Sequence, residues 1–268
     1  MSHQKLFTIP SLYIYLLISI ILTSCSNSVI QEDIDTEADI YTPILTFSPN
    51  RQIAHRGYWF AGADENSIQA VKYAMNARLY GAEIDIYETA DNVIVVNHDS
   101  TFNNLDIPNS SYEQLTKDSE KDLPILEDFL ELICNSPNFK LIIEIKSIKD
   151  LNLLLQKIDK YNIAEQIEFI SFIHYYCEAL ISLRPSCFVA CLATSYTPQE
   201  LANKGYKGID LQHTYYSANP NIIKEAKALG LTVYTWTVND AELMNKLYDM
   251  GVDRITTDIP RLSFNPTL

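Results

Sequence analysis

Glu83 and Asp85 stand two residues apart inside GAEIDIYETADNVIVVNHDSTF, residues 81–102, whose apolar pattern otherwise reads as β-strand. Residues i and i+2 of a strand face the same way. Two carboxylates on one buried face are costly unless a cation or a substrate uses them. Thirteen residues after Asp85, just past the apolar run VIVV, comes His98 with Asp99 beside it. An acidic pair followed by a histidine at a strand end points to metal-assisted acid/base chemistry. Elsewhere, His55-Arg56-Gly57 closes an early apolar segment, and Glu144 ends a later one with Lys146 two residues on.

The elements that must position these groups are legible as an alternation. Strand-like segments fall at 51–55, 81–86, 140–145, 167–171, 187–192, 207–211, 231–236 and 252–257. Amphipathic helical periodicity fills most of the gaps, as at 67–79, 126–134, 151–161, 220–229 and 241–250. Eight such units in roughly 220 residues predict an α/β fold, a (β/α)₈ TIM-type barrel. A doubly wound open sheet is the competing arrangement, but no Gly-rich dinucleotide turn supports it. Residues 100–124, rich in Asn, Asp and Ser, read as a small insertion after the second βα unit. Barrel chemistry sits at the carboxyl ends of the strands. His55 closes the first strand, Glu83 and Asp85 lie late in the second, Glu144 nears the end of the third, and Trp236 ends the seventh. The first three strands are neighbours, so their polar groups should converge.

Composition narrows the field. With 47% apolar residues, 268 residues can fill a large core, and a net charge of −14 argues against nucleic acid and against adhesion to anionic lipid by charge. Lys5 is the only Lys, Arg, Asp or Glu among the first 24 residues, and an uncharged apolar run from Leu6 ends in Leu22-Thr23-Ser24-Cys25. That pattern is a secretory signal peptide whose end resembles the lipobox of bacterial lipoproteins. The expected organisation is a lipoprotein signal peptide at 1–24, a lipidated Cys25 opening an acidic tether to residue 50, and a barrel domain at 51–268. The protein would be exported and lipid-anchored to a membrane of a bacterial cell envelope. Cys134, Cys177, Cys187 and Cys191 include no CxxC pair; export would permit disulfides, but a large core does not need them and the four read as buried free thiols.

Six motifs in order carry a resemblance over about residues 51–262: HRG at 55–57, EN at 65–66, GAEIDIYETADNVIVVNHD at 81–99, LPILEDFL at 123–130, IEIK at 143–146, and TWTVND with GVDRITTDIP between 235 and 260. Together they resemble the glycerophosphodiester phosphodiesterases. The resemblance implies a (β/α)₈ barrel with an insertion after the HD pair. It implies metal-binding carboxylates at Glu83, Asp85 and Glu144, and acid/base histidines at His55 and His98. It also implies phosphate-facing cations at Arg56 and Lys146, an aromatic near the substrate alcohol at Trp236, and a pocket acid at Glu65. An oxygen-only ligand set favours one divalent cation, Ca²⁺ or Mg²⁺. The implied partner is a small-molecule phosphodiester, hydrolysed to sn-glycerol 3-phosphate and an alcohol, with either water or a neighbouring glycerol hydroxyl as nucleophile. Two alternatives keep the pocket: the same chemistry on a lysophospholipid or an envelope glycerophosphoryl polymer, or a non-catalytic glycerophosphoryl-binding lipoprotein, for which two intact histidines have no use. Blander readings exist for single residues: Trp236 as a barrel plug, Glu65 and Asn66 as helix caps, His174 and His213 as packing beside tyrosines. The chain departs from the family at residues 100–112, where many relatives carry Arg-Thr-Thr, and at Arg254, which stands where glycine is common and reads as a surface change.

Overall fold

Eight parallel strands close into a barrel in the computed structural model, which describes residues 51–260. They are β1 (Gln52–Ala54), β2 (Gly81–Glu88), β6 (Lys140–Ser147), β7 (Ile167–Ser171), β8 (Phe188–Cys191), β9 (Gly208–Gln212), β10 (Thr232–Trp236) and β11 (Arg254–Thr257). The ring closes through β1, which sets Ile53 opposite Thr256 of β11 and opposite Gly81 of β2. The signal-peptide and tether assignments, Cys25, and residues 261–268 of the domain lie outside the described residues. Among the described residues, no helix is long and apolar enough to cross a membrane.

Helices cover the outside because their apolar residues recur at helical spacing. In α3 (Leu151–Asp159), Leu151, Leu154, Leu155 and Ile158 form the buried stripe. Side-chain caps fix where several helices begin: Ser67 for α1 (Ile68–Asn76), Asp150 for α3, Asp240 for α6 (Ala241–Asp249), and a Thr197–Glu200 capping box for α4 (Pro198–Lys204). The cap of α1 is therefore Ser67, and Asn66 is left for another task.

Strands buried on both faces are apolar almost throughout. Ile53, Ile142, Ile170, Ala190, Leu192 and Tyr234 fill the barrel interior as a cluster of their own. Glu168 is also buried, accepting from Tyr80 Oη at 2.5 Å and Tyr234 Oη at 2.9 Å. Burial pushes the Glu168 carboxyl up, and the two tyrosine hydroxyls counter it in part. The Arg254 guanidinium lies 4.1 Å over the Tyr80 ring. The reading of Arg254 as a surface change is thus wrong: it is half-buried and stacks on the ring whose hydroxyl serves Glu168.

Most strand limits fall within two residues of expectation, with one consequential difference. Because β2 runs on to Glu88, Glu83 and Asp85 are the third and fifth of its eight residues, in mid-strand and not late. The overhang pairs antiparallel with β3 (Ile94–Val96), Ile86 opposite Val96 and Glu88 opposite Ile94. The VIVV run is therefore the return arm of a hairpin. Its end is tied down where the Asn97 backbone N–H donates to the Asp85 carbonyl at 3.0 Å, which brings His98 back over the site.

The insertion is less irregular than its composition. It holds a two-stranded ladder, β4 (Thr101–Phe102) with β5 (Leu105–Asp106), and the short α2 (Tyr112–Thr116), which starts at a capping box of Ser111 and Gln114. Tyr87, Val95, Ile107, Leu115 and Leu123 give it a small apolar cluster separate from the barrel core. Lys149 Nζ fastens it, donating to the carbonyls of Thr89 and Pro108 at 2.9 Å each.

The glycine of HRG has a steric cause. Gly57 sits at φ 78°, and a Cβ there would lie 2.6 Å from Ala70 Cβ and 2.9 Å from the Ala70 carbonyl carbon. Only glycine lets the chain turn from β1 against α1 in a left-handed conformation.

Candidate active site

Three carboxylates and two cations meet where β1, β2 and β6 lie side by side. The β2–β6 register puts Asp85 directly opposite Glu144. Lys146, the second residue after Glu144 on the same strand face, places Nζ 2.7 Å from Glu144 Oε1 and 3.1 Å from Asp85 Oδ1. Glu83 accepts the Arg56 backbone N–H at 2.8 Å. Arg56 takes φ 54°, a left-handed conformation uncommon for a side-chain-bearing residue and often tied to a functional site. Its guanidinium reaches Glu65 at 2.6 Å and comes within 3.8 Å of Asp85.

Ligand-capable oxygens of Glu83, Asp85 and Glu144 all lie within 4.8 Å of one another. Asp85 and Glu83 are almost fully buried and the Glu144 side chain is 12% exposed. Burial first, and then the fields of Asp85 and Glu144, push the Glu83 carboxyl well above its ordinary value. Burial likewise raises Glu144, and Lys146 only partly counters it. Glu83 Oε1 is buried without a hydrogen-bond partner. Crowded acids with an orphaned buried oxygen are a set a divalent cation would satisfy, so the residues fit such an ion.

The histidines approach the same cavity, of about 230 Å³, from different elements. His55 continues β1, its backbone N–H donating to the Thr257 carbonyl at 3.0 Å. Its Nδ1 lies 2.7 Å from Asp258 Oδ1 and its Nε2 lies 4.0 Å from Glu83 Oε2. His98 follows the β3 arm, with Nδ1 2.8 Å from Asp99 Oδ1. Glu65 lines an adjoining groove that shares Arg56 and His98 with the cavity.

Opposite the charged wall, Ile170, Phe172, Leu192 and Trp236 present an apolar one. Trp236 both packs on the barrel interior and lines the cavity: its ring meets Phe172 edge to face at 5.6 Å, and its Nε1 donates to the Asp210 carbonyl at 3.0 Å. Asp210, also lining the cavity, is buried, with Oδ1 unpartnered. Burial, Glu144 and Glu168 together push it well above the usual carboxylate range.

Every site residue expected from 55 to 236 is thus at or beside this cavity, and Cys25 lies outside the described residues. His174 and His213 do not line it: His174 Nε2 is 2.6 Å from Ser195 Oγ and its ring packs on Tyr196, while His213 opens α5 (His213–Ala218). Three contributors escaped the sequence reading. Phe172 lies one residue past β7, in a place no motif marks. Asp210 is a lone carboxylate in the strand-like run at 207–211, with no second acid near it in sequence to mark it. Asn66, part of the EN motif but as readily a helix cap on sequence grounds, is buried and grips Asp85 twice, Nδ2 donating to Oδ2 at 2.9 Å and Oδ1 accepting the Asp85 backbone N–H at 3.1 Å. The available signal was its place beside Glu65, since Ser67 already supplied the cap.

Comparison with known proteins agrees with this geometry. The model of the glycerophosphoryl diester phosphodiesterase family matches residues 55–262. The chain belongs to this family. It is an enzyme, a phosphoric diester hydrolase of the glycerophosphodiester phosphodiesterase type. A glycerophosphodiester phosphodiesterase of Caldanaerobacter subterraneus subsp. tengcongensis is 29% identical over 235 residues, 80% of this chain and 96% of that one. A solved glycerophosphodiester phosphodiesterase of Parabacteroides distasonis is 35% identical with a TM-score of 0.75, covering 80% of this chain and 95% of that one. An Oleispira antarctica phosphodiesterase solved with the product sn-glycerol-3-phosphate is 22% identical with a TM-score of 0.65, covering 78% and 93%, and shares the fold. The glycerophosphodiester phosphodiesterase barrel thus accounts for the eight-strand closure, and the family span covers His55, Arg56, Glu65, Glu83, Asp85, His98, Glu144, Lys146 and Trp236 alike.

Proposed function

We propose that this member of the family hydrolyses glycerophosphodiesters to sn-glycerol 3-phosphate and an alcohol with the help of one divalent cation. The observation that carries the proposal is the gathering of Glu83, Asp85 and Glu144 beside two histidines and two cationic side chains at one cavity. Those three carboxylates would hold the ion, and an oxygen-only set suits Ca²⁺ or Mg²⁺. When bound, such an ion neutralises charge developing on the phosphoryl oxygens. Arg56 and Lys146 bring fixed positive charge to the same wall and orient the diester. Of His55 and His98, one takes the proton of the nucleophile and the other returns a proton to the departing alcohol, each contributing about 10²–10⁴-fold. The apolar wall keeps water from the carbon skeleton of the substrate. The product bound in the Oleispira antarctica relative supports the same product here.

The direct test is a substrate panel on purified protein lacking the first 24 residues. Release of sn-glycerol 3-phosphate from glycerophosphocholine and glycerophosphoethanolamine, and little from diesters without glycerol, is the expected result. Failure to form glycerol 3-phosphate from any member sinks the reading. Phe172 and Ile173, 49% and 46% exposed, carry the apolar wall outwards. This favours a second reading, in which a lysophospholipid is also accepted, and lysophosphatidylcholine belongs in the same panel.

Residues 1–25 support action outside the cytoplasm, with Cys25 lipidated. Cys25→Ala should move the protein from the membrane fraction to the soluble one. An unchanged distribution ends the anchoring proposal.

A further inference from the structure

Two pieces of the carboxyl-terminal motifs, Asn239 of TWTVND and Asp258 of TTDIP, have so far no chemical task. Both lie at the seam where the barrel closes. Main-chain bonds already hold that seam: Ala54 is in register with Thr257, and the His55 backbone N–H donates to the Thr257 carbonyl at 3.0 Å. A carboxylate is not needed for closure. Yet Asp258 is held at three points. Its Oδ1 is 2.7 Å from His55 Nδ1, its Oδ2 accepts from Asn239 Nδ2 at 2.6 Å, and its backbone N–H donates to Asn239 Oδ1 at 2.9 Å. Asn239 Oδ1 also accepts from Thr257 Oγ1 at 3.0 Å, and the neighbouring Val238 backbone N–H donates to the Thr256 carbonyl at 3.0 Å. The loop after β10 thus grips both the main chain and the side chain of Asp258.

The geometry points to Asp258, clamped by Asn239, as the positioning residue of His55. Resting on the function proposed above, the inference says how one of its two acid/base groups is aimed. A carboxylate only accepts hydrogen bonds, so the His55 Nδ1 facing it must carry the hydrogen. The neutral ring therefore presents the lone pair of Nε2 to the cavity, on the side of Glu83. A protonated ring keeps the same orientation, with its charge balanced by Asp258. Burial alone would raise the Asp258 carboxyl, but the bonds from His55 and Asn239 outweigh it and hold it below its ordinary value, so it is ionised at neutral pH. His98 has no such clamp: Asp99, its partner, is a chain neighbour with a side chain 77% exposed.

The test is a set of variants assayed on glycerophosphocholine, with ¹⁵N imidazole spectra of the wild type and of each variant. In Asp258→Ala we expect kcat to fall about 10²–10³-fold with KM changed less than about threefold, in line with the effect of losing a histidine's orienting carboxylate. Asp258→Asn should lose as much, because its amide can donate to Nδ1 and favour the other tautomer, whereas Asp258→Glu should recover part of the rate. Asn239→Ala should lose less than Asp258→Ala. In a His55→Ala background, Asp258→Ala should cost nothing further, an outcome a merely structural role would not give. The wild-type spectrum should show His55 protonated at Nδ1, a readout that needs no substitution at all. Asp258→Ala within threefold of wild type in kcat, additive losses in the double variant, or a His55 proton on Nε2 alone would each overturn the assignment. A wild type inactive on glycerophosphocholine defeats the proposed substrate, and the tautomer then decides the positioning by itself.

Discussion

Alanine at His55 or at His98 lowers kcat on a glycerophosphodiester by about 10²–10⁴-fold, the usual worth of one positioned acid or base. The expectation rests on where the two rings stand. Both line the cavity that holds Arg56 and Lys146, and they arrive from different elements, the end of β1 and the arm after β3. His98 is 40% exposed at its side chain, so its loss should fall on kcat while the unfolding midpoint stays close to that of the wild type, whereas His55→Ala also deprives Asp258 of its partner and should lower the midpoint modestly as well. The two losses should not add, because the reaction needs both proton transfers. Turnover within about threefold of wild type for either variant would remove that residue from the acid/base pair.

Chelation is expected to be as severe. Dialysis against EDTA should reduce activity to background, and added Ca²⁺ or Mg²⁺ should restore it. Asp85→Asn should not be restored at the metal concentration that saturates the wild type. Asp85 is the choice because its carboxylate is the most heavily organised of the three. Asn66, Arg56 and Lys146 all point at it, and its side chain is only 2% exposed. Occupancy should also raise the unfolding midpoint, since a ligand at 100 times its Kd adds about 2.7 kcal/mol. The raised Glu83 and Glu144 carboxyls give the pH dependence its sign. A proton competes with the ion for these groups, so apparent affinity should weaken as the solution is made more acid. Full activity in protein shown by elemental analysis to carry less than about a tenth of an equivalent of any divalent metal would refute the metal assignment.

The barrel was legible because a parallel sheet covered on both faces writes itself as short apolar runs, and the eight runs at 51–55 through 252–257 stand apart from the amphipathic segments between them. The charged wall was legible because Glu83, Asp85 and Glu144 stand in apolar runs whose motifs also carry His98 and Lys146, whereas Glu168 and Asp210, one off the cavity and one lining it, show that a lone carboxylate in such a run marks nothing by itself. What escaped depends on distance along the chain. Asn66 lies 19 residues from Asp85 and Asp258 lies 203 from His55. Neither contact leaves a local pattern, and each residue type has an ordinary use as a cap or turn former. Arg254 was misread for a related reason: a charged residue beside Asp253 looks exposed until a ring such as Tyr80, from another strand connection, lies under it. The mid-strand position of the acidic pair was hidden by the overhang of β2, because a hairpin arm and a barrel strand share the same period of two.

The closing seam also imposes a timetable. Once residue 146 has left the ribosome, the growing chain already owns all three carboxylates, both histidines and both cationic side chains of the site. It nonetheless lacks β11, the strand that sits between β1 and β10, and it lacks Asp258. The ring cannot shut, and the sheet keeps two open edges, until the last stretch of the domain has been made. Nascent or truncated protein lacking residues 254–258 should therefore be inert towards phosphodiesters, and activity should begin only once β11 and Asp258 are in place.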